Sequence, residues 1–368
     1  MLILFIAKST ILKRGIQVVK ILLVTGLGLV YTLYTVAFSV LFLRKISGKI
    51  EEAPAENKLP VPQFLKFARL APVTAAKPFS DETMAFLYKI SALLGVASIA
   101  QTKFMSDAVF GSTLRAALFY FATFMAYVRC ARLPAAFVKA VHPLLTSTGV
   151  VWGLLKAYGM AIGTPDFITT LKTFKTSDLA WNKAGAGDLL LFCLGPSVVS
   201  FAVSMYSRKK LLVENLFIVV SAMLISSFGA LFGTAAFGKL IKLGGDSGNA
   251  LLIRLSVLAR NITTSLAIPV TNILGGDIAI AVVVVVLTGI FGAQYGRKLL
   301  DMVGITDPVT RGLAVGSAAQ GLGVSSMVSE EDAFPFAAMA MALTAVAGTV
   351  LVSFPAVKDA IVATCGGP

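Results

Sequence analysis

The stretch from Ile278 to Leu300, IAIAVVVVVLTGIFGAQYGRKLL, decides the fold class of this chain. It carries no charged side chain before Arg297. A run of about 20 mostly apolar residues can cross the hydrocarbon core of a bilayer as a helix, which satisfies its backbone hydrogen-bonding groups internally. The run does not alternate between apolar and polar residues, as a strand of an outer-membrane barrel would. It therefore predicts a transmembrane helix.

Apolar runs of similar length recur on both sides of this stretch, separated mostly by short polar gaps. The run at 312–328 is the least hydrophobic, because glycine and serine replace bulky side chains there. The pattern predicts an all-α, polytopic membrane bundle of about ten transmembrane segments, some of them broken or re-entrant. The remaining runs lie at 16–43, 84–100, 108–129, 137–162, 187–206, 213–238, 251–274 and 333–357.

The overall composition agrees with a membrane protein. Hydrophobic residues make up 57% of the chain and charged residues only 14%, and the mean hydropathy is +0.86. A soluble domain is usually about 25% charged. The net charge of +14 comes from Lys and Arg residues that lie mainly in the gaps between apolar runs. We interpret it as loop charge beside lipid headgroups and expect no nucleic-acid partner.

One polar segment divides the chain. Residues 46–83 are rich in proline, lysine and glutamate, which is typical of a linker. They separate a single transmembrane helix at 1–45 from the remaining apolar runs at 84–368, which we expect to form one membrane domain.

A polar stripe interrupts the apolar run at 251–274. On one helix, Ser256, Arg260, Thr263 and Thr264 would share a face. The planar fork of an arginine suits a carboxylate. The alternative is an arginine near a helix end whose side chain reaches the headgroup region. A helix break at Pro269 would free backbone carbonyls and therefore favours a binding site.

A second polar place begins at Arg311 and continues through Gly316, Ser317, Gln320 and Gly323. Glycines and hydroxyls at this density are typical of close helix packing, which is the better interpretation from the residues alone. The alternative is a discontinuous helix whose freed backbone N–H groups face an anion.

A third place lies near the start of the run at 187–206. The dipeptide Gly195-Pro196 favours a helix break. Asp188 is best interpreted as a residue at a helix start, although it is also the best acidic candidate for proton coupling.

Residues for enzyme chemistry are scarce. His142 is the only histidine, so a histidine-based metal site or catalytic dyad has almost nothing to draw on. The cysteines Cys130, Cys193 and Cys365 show no paired spacing. We therefore expect no enzyme activity, no metal and no cofactor.

From about residue 105 to the end, the chain resembles the LrgB/CidB membrane family. The family pattern S-L-x-P-K-x-V-T-T corresponds to Ser256–Thr264, with Arg260 at the basic position and Ala259 in place of the proline. The pattern R-G-x-A corresponds to Arg311–Ala314, and the following G-x-G to Gly321–Gly323. The plastid branch, the glycolate/glycerate translocators, is the more similar one. Residues 1–45 resemble the last helix of the LrgA-like domain that precedes the LrgB-like part in this branch.

The resemblance implies a multi-pass carrier of glycolate and glycerate in the chloroplast inner envelope membrane, serving photorespiration. We assign the carboxylate clamp to Arg260, together with Arg311, assisted by helix N-termini near Gly195 and Gly316. Contacts to the substrate hydroxyl would come from Asn261, Thr263, Thr264, Ser317 and Gln320, with Gly323 beside them. Proton coupling and a homo-oligomer are further expectations.

One residue departs from the family pattern. Family members commonly have histidine before the G-x-G, whereas this chain has Gln320. Glutamine forms hydrogen bonds but does not carry a proton near neutral pH. If that histidine couples protons to transport in relatives, this protein uses another group or works as an exchanger.

The resemblance also implies an alternative in a different functional class. Bacterial members are linked to holin-like control of murein hydrolases, and such a protein would lie in the bacterial cell membrane. The Gly/Ser run would then be a packing face between subunits. A cation/proton antiporter is disfavoured, because no pair of acidic residues stands within the apolar runs.

Overall fold

The computed structural model describes residues 11–48, 80–104, 108–134, 137–138, 141–164, 166–178, 180, 182–193, 196, 199, 206, 209–245 and 248–367. Within these ranges the chain forms helices and no strand, which confirms the all-α prediction. The helices are α1 Ile11–Ile46, α2 Asp81–Phe104, α3 Ala108–Ala131, α4 Pro143–Ala161, α5 Phe167–Phe174, α6 Ala186–Phe192, α7 Lys209–Glu214, α8 Leu216–Leu240, α9 Ala250–Ser256, α10 Thr264–Leu274, α11 Ile278–Met302, α12 Pro308–Ser326, α13 Phe334–Ser353 and α14 Pro355–Thr364.

The chain divides into two compact units. The larger unit comprises Met1–Val73 with Phe201–Pro368, and the smaller unit comprises Thr74–Ser200. Helix α1 therefore belongs to the same unit as α7–α14, although it lies far from them in sequence.

Five helices are long and apolar enough to cross a membrane among the residues that the structure describes: α1, α2, α8, α11 and α13. This agrees with the predicted polytopic membrane protein. Where the structure describes them, the other predicted segments are shorter, interrupted or more polar; part of the run at 187–206 lies outside the described residues. The run at 251–274, for example, forms two short helices, α9 and α10, rather than one.

In the larger unit, α12 packs against α13, α11 and α1. Small residues bring these helices close together. A Cβ added to Gly312 or Gly316 would collide with the backbone of α13 at Ala333 or Ala337. Helices in lipid associate through such close contacts, because burial of apolar surface drives association weakly there.

The single helix predicted through 251–274, with Ser256, Arg260, Thr263 and Thr264 on one face, is wrong. The chain leaves the helical path after Ser256 and resumes it at Thr264. At the end of α9, the Ser256 hydroxyl accepts a hydrogen bond from the backbone N–H of Asp277 at 2.6 Å. Thr263 is extended and begins the next helix as its N-cap residue. Residues 257–262, between the two helices, are all buried.

The predicted helix break at Pro269 is also wrong, because α10 continues through this residue. The interruption lies upstream instead, at 257–263. Pro269 removes only one N–H donor from a short helix, and α10 tolerates this loss.

The run at 312–328 forms the discontinuous helix that the sequence offered as the alternative to simple close packing. Gln320 has φ 48° and ψ −150° in the middle of α12, which is not helical. A positive φ in a residue other than glycine is uncommon and persists only where the surrounding structure enforces it. α12 is therefore a discontinuous helix.

In the smaller unit, α3 packs against α2, α4 and α6. Of the predicted break at Gly195-Pro196, Gly195 lies outside the described residues, and Pro196 is exposed in helical conformation. Asp188 lies in the first turn of α6.

Candidate functional site

The Arg260 side chain is buried in the larger unit, within the interruption between α9 and α10. Only 1% of its surface is exposed. Nε donates a hydrogen bond to Thr234 Oγ1 at 3.0 Å, and Nη2 donates to Thr32 Oγ1 at 2.7 Å. Nη1 has no hydrogen-bond partner among the described residues. Arg260 thus presents a free pair of N–H donors in the protein interior.

No carboxylate of the described residues compensates the charge of Arg260. None of the ion pairs between described residues includes it. Its two partners are neutral hydroxyls. A buried charge without a counter-charge costs several kcal/mol, so proteins normally pair it or use it to bind an ion. This arrangement is suited to an anion that supplies the missing negative charge.

The interruption at 257–263 contacts the middle of α12. Asn261 Nδ2 donates to the backbone carbonyl of Ser317 at 3.2 Å. The Ser317 hydroxyl accepts from Thr344 Oγ1 of α13 at 3.3 Å. The Asn261 hydrogen bond therefore joins the irregular segment at 257–263 to α12, and Thr344 of α13 adds a second polar contact at Ser317.

Gln320 adds a further polar group to the interrupted part of α12. Its Nε2 donates to the backbone carbonyl of Val285 in α11 at 2.6 Å. The side chain is buried. This hydrogen bond ties the strained residue of α12 to α11.

The remaining hydroxyl candidates lie at the start of α10. Thr263 and Thr264 are half-buried. Thr263 is the N-cap residue, but its side chain makes no capping hydrogen bond to the helix. Its Oγ1 lies 3.3 Å from the Ser265 hydroxyl. The Thr263 side chain therefore does not satisfy the first backbone N–H groups of α10.

The two predicted glycines of α12 have no room for a side chain. A Cβ on Gly316 would collide with the Ala337 carbonyl of α13. A Cβ on Gly323 would collide with Ala319 and come within 3.2 Å of Val315. The Gly316 contact agrees with the packing interpretation of the Gly/Ser run, whereas the Gly323 contacts lie within α12 itself. We assign neither glycine a substrate contact.

Arg311 is fully engaged in contacts that differ from those of Arg260. It donates to both carboxylate oxygens of Glu330, at 2.7 and 2.8 Å, and to Asp301 at 2.7 Å. It also donates to the Ile305 carbonyl at 2.8 Å. None of these partners is shared with Arg260, and they tie α12 to its neighbouring turns, so we do not assign Arg311 as a second clamp.

Replacing Arg311 with glutamine is expected to lower the free energy of unfolding by about 1–3 kcal/mol, because Glu330 loses a bidentate partner. Thermal unfolding of the purified protein in detergent measures this change. Arg297→Gln is the control, since Arg297 also faces Glu330 but at 4.0 Å and with 40% of its side chain exposed. Equal unfolding temperatures for the two variants would contradict the assignment.

Asp188 caps the backbone near the start of α6. Its carboxylate accepts hydrogen bonds from the N–H groups of Thr176, Ser177 and Gly185 at 2.8–3.0 Å, and from the Thr176 hydroxyl at 2.9 Å. Such bonds favour the charged carboxylate. The geometry agrees with the interpretation of Asp188 as a helix-start residue, and its coupling role stays a prediction.

Three residues that were not predicted from the sequence surround the Arg260 guanidinium: Thr32, Thr234 and Gly28. A Cβ on Gly28 would lie 2.6 Å from Nε. Gly28 and Thr32 are four residues apart in an apolar run, a spacing that also fits ordinary helix packing. No signal in the sequence connects them to Arg260. In the described ranges no group of three or more His, Cys, Asp or Glu residues could hold a metal ion.

Comparisons with known proteins agree with the motifs that surround these residues. The family model described as LrgB-like family matches residues 123–357. The plastidal glycolate/glycerate translocator 1, chloroplastic, of Arabidopsis thaliana is 32% identical over 248 residues, which cover 66% of this chain and 46% of the relative. The chain thus spans about half the length of this curated relative. No solved structure matches the chain. The extent of the family match shows that this chain belongs to the LrgB-like family.

Proposed function

We propose that this protein is a secondary transporter of small 2-hydroxy monocarboxylates such as glycolate and glycerate, and not an enzyme. The observation that carries the proposal is the buried Arg260 guanidinium, whose Nη1 has no partner and whose charge has no counter-charge among the described residues. A carboxylate supplies both a hydrogen-bond acceptor and the missing charge.

A two- or three-carbon hydroxy acid also needs a partner for its hydroxyl group. Asn261 and Ser317 lie in the two interrupted segments and bind to each other. Gln320 lies three residues after Ser317 in the same helix. We propose that these residues, together with Thr263 and Thr264, supply that contact, while Arg260 alone holds the carboxylate.

The interrupted helices support transport rather than static binding. Secondary carriers commonly place the substrate near the bilayer midplane between discontinuous helices and expose it to each side in turn. Here α9–α10 and α12 are both interrupted, and Asn261 joins their irregular parts. We propose that substrate binding replaces or rearranges these contacts during the transport cycle.

The relative's name supports the substrate class and the location. The Arabidopsis thaliana protein is a plastidal glycolate/glycerate translocator, and this chain aligns with 46% of it. We therefore propose the plastid inner envelope as the membrane. Gln320 and the capped Asp188 favour exchange of one acid for another over proton coupling through either group. A homo-oligomer stays a prediction.

Counterflow in proteoliposomes tests this proposal. We expect internal glycerate to drive saturable uptake of labelled glycolate, whereas acetate and dicarboxylates drive much less. Acetate is the matched control, because it has the carboxylate but not the hydroxyl. Release of an enclosed inert dye together with glycolate would contradict the proposal and favour the holin-like alternative.

A further inference from the structure

Helix α1 supplies part of the surroundings of Arg260. The helix contributes Gly28, against which the guanidinium lies, and Thr32, which accepts the hydrogen bond from Nη2. Thr234 of α8 accepts the bond from Nε. Two hydroxyls on two helices therefore hold one edge of the guanidinium.

The orientation of the Thr32 hydroxyl is itself fixed. Its Oγ1 donates to the Gly28 carbonyl of its own helix at 2.9 Å. A hydroxyl has only one proton to donate, so Oγ1 then faces Arg260 with a lone pair. Thr32 can therefore accept from Nη2 but cannot also donate to a substrate oxygen. Its contribution is to hold the guanidinium.

The absence of a side chain at Gly28 brings the guanidinium close to α1. A Cβ at this position would lie 2.6 Å from Nε, 2.7 Å from Cζ and 3.1 Å from Nη2 of Arg260. With Nε and Nη2 held, Nη1 is the nitrogen left without a partner in the part of the chain that the structure describes.

We propose that Gly28 and Thr32 of α1 are positioning residues of the anion site, which make Nη1 of Arg260 the group that receives the substrate carboxylate. The inference rests on the proposed function and extends it to a helix outside the family match, which begins at residue 123. It also makes α1 part of the transport machinery, although the sequence places it before a linker.

Thr32→Val tests the inference, because valine keeps the shape of threonine but lacks the hydroxyl. Thr25→Val is the matched control. Thr25 lies in the same helix and is equally buried, and its hydroxyl donates a hydrogen bond to the Ile21 carbonyl at 2.8 Å. Unlike Thr32, it accepts no hydrogen bond from Arg260 among the described contacts. We expect Thr32→Val to raise the apparent KM for glycolate roughly tenfold with little change in the maximal rate. Thr32→Ser should restore the wild-type KM.

The outcomes separate this inference from the proposed function. Equal KM values for Thr32→Val and Thr25→Val, in a wild-type protein that transports glycolate, would overturn the inference alone. A wild-type protein without saturable counterflow would overturn the proposed function. The positioning contact is then tested by a double-mutant cycle on thermal unfolding with Arg260→Gln, where additive effects of the two substitutions would overturn it.

Discussion

Replacing Arg260 with glutamine is expected to lower glycolate counterflow at sub-saturating substrate by about 100-fold, because it removes the charged partner of a buried carboxylate. The same substitution should leave the stability of the substrate-free protein unchanged or raise it, since it removes a buried charge without a counter-charge. Counterflow and thermal unfolding, measured on the same preparation, show whether function and stability change in opposite directions.

Arg254→Gln is the control for this substitution. Arg254 lies six positions earlier, and its guanidinium donates to the carbonyls of Leu243 and Cys365, each at 2.9 Å. Its replacement should lower the unfolding temperature and leave counterflow comparable to that of the wild type. If Arg260→Gln destabilises the protein as Arg254→Gln does and leaves transport intact, Arg260 has a structural role only.

Replacing Gly28 with alanine is expected to have the second largest effect, a loss of counterflow of at least about tenfold. The new Cβ would lie 2.6 Å from Nε of Arg260. The guanidinium is the far end of a flexible side chain, so it can move away without moving a helix. We therefore expect the variant to fold, with Arg260 displaced from its two threonine partners.

Gly26→Ala provides the comparison, because a Cβ at Gly26 meets no atom within 4 Å. Both substitutions raise the helix propensity of α1 by about 1 kcal/mol. Only the one at Gly28 disturbs Arg260. Counterflow measured for both variants at several glycolate concentrations separates a loss of affinity from a loss of folded protein. Equal activity of the Gly28→Ala and Gly26→Ala variants would argue against a close contact between α1 and the site.

The membrane fold could be predicted from the sequence because it depends on composition along the chain. Apolar runs such as Ile278–Leu300 predict spanning helices without reference to any partner. The interruption of α12 could be anticipated only as an alternative, since Gly316, Ser317 and Gly323 weaken the run locally but fit close helix packing as well. The position of the strained residue, Gln320, could not, because its conformation depends on the Val285 carbonyl of another helix.

The interruption at 257–263 was missed because its sequence has the spacing of an amphipathic helix. Ser256, Arg260, Thr263 and Thr264 fit one helical face as well as they fit a loop. Contacts from outside the segment decide between the two, such as the bond from the Asp277 N–H to Ser256. Pro269 gave a misleading signal, since a proline in a short helix removes one hydrogen bond and does not by itself end the helix.

The two arginines show why the site was harder to predict than the fold. Arg260 and Arg311 both lie in polar stretches of apolar runs, and the sequence gives no reason to separate them. In the structure Arg311 meets two carboxylates, whereas Arg260 meets hydroxyls, one of which belongs to a residue 228 positions away. A contact at that separation has no signature in a single sequence.

The central claim is that Nη1 of Arg260 receives the substrate carboxylate. The most direct measurement is an experimental structure of the protein with glycolate bound. We expect a carboxylate oxygen about 2.7–2.9 Å from Nη1, with Thr32 and Thr234 still holding Nη2 and Nε. Glycolate bound elsewhere, with the Arg260 guanidinium unchanged and not in contact with it, would contradict the claim.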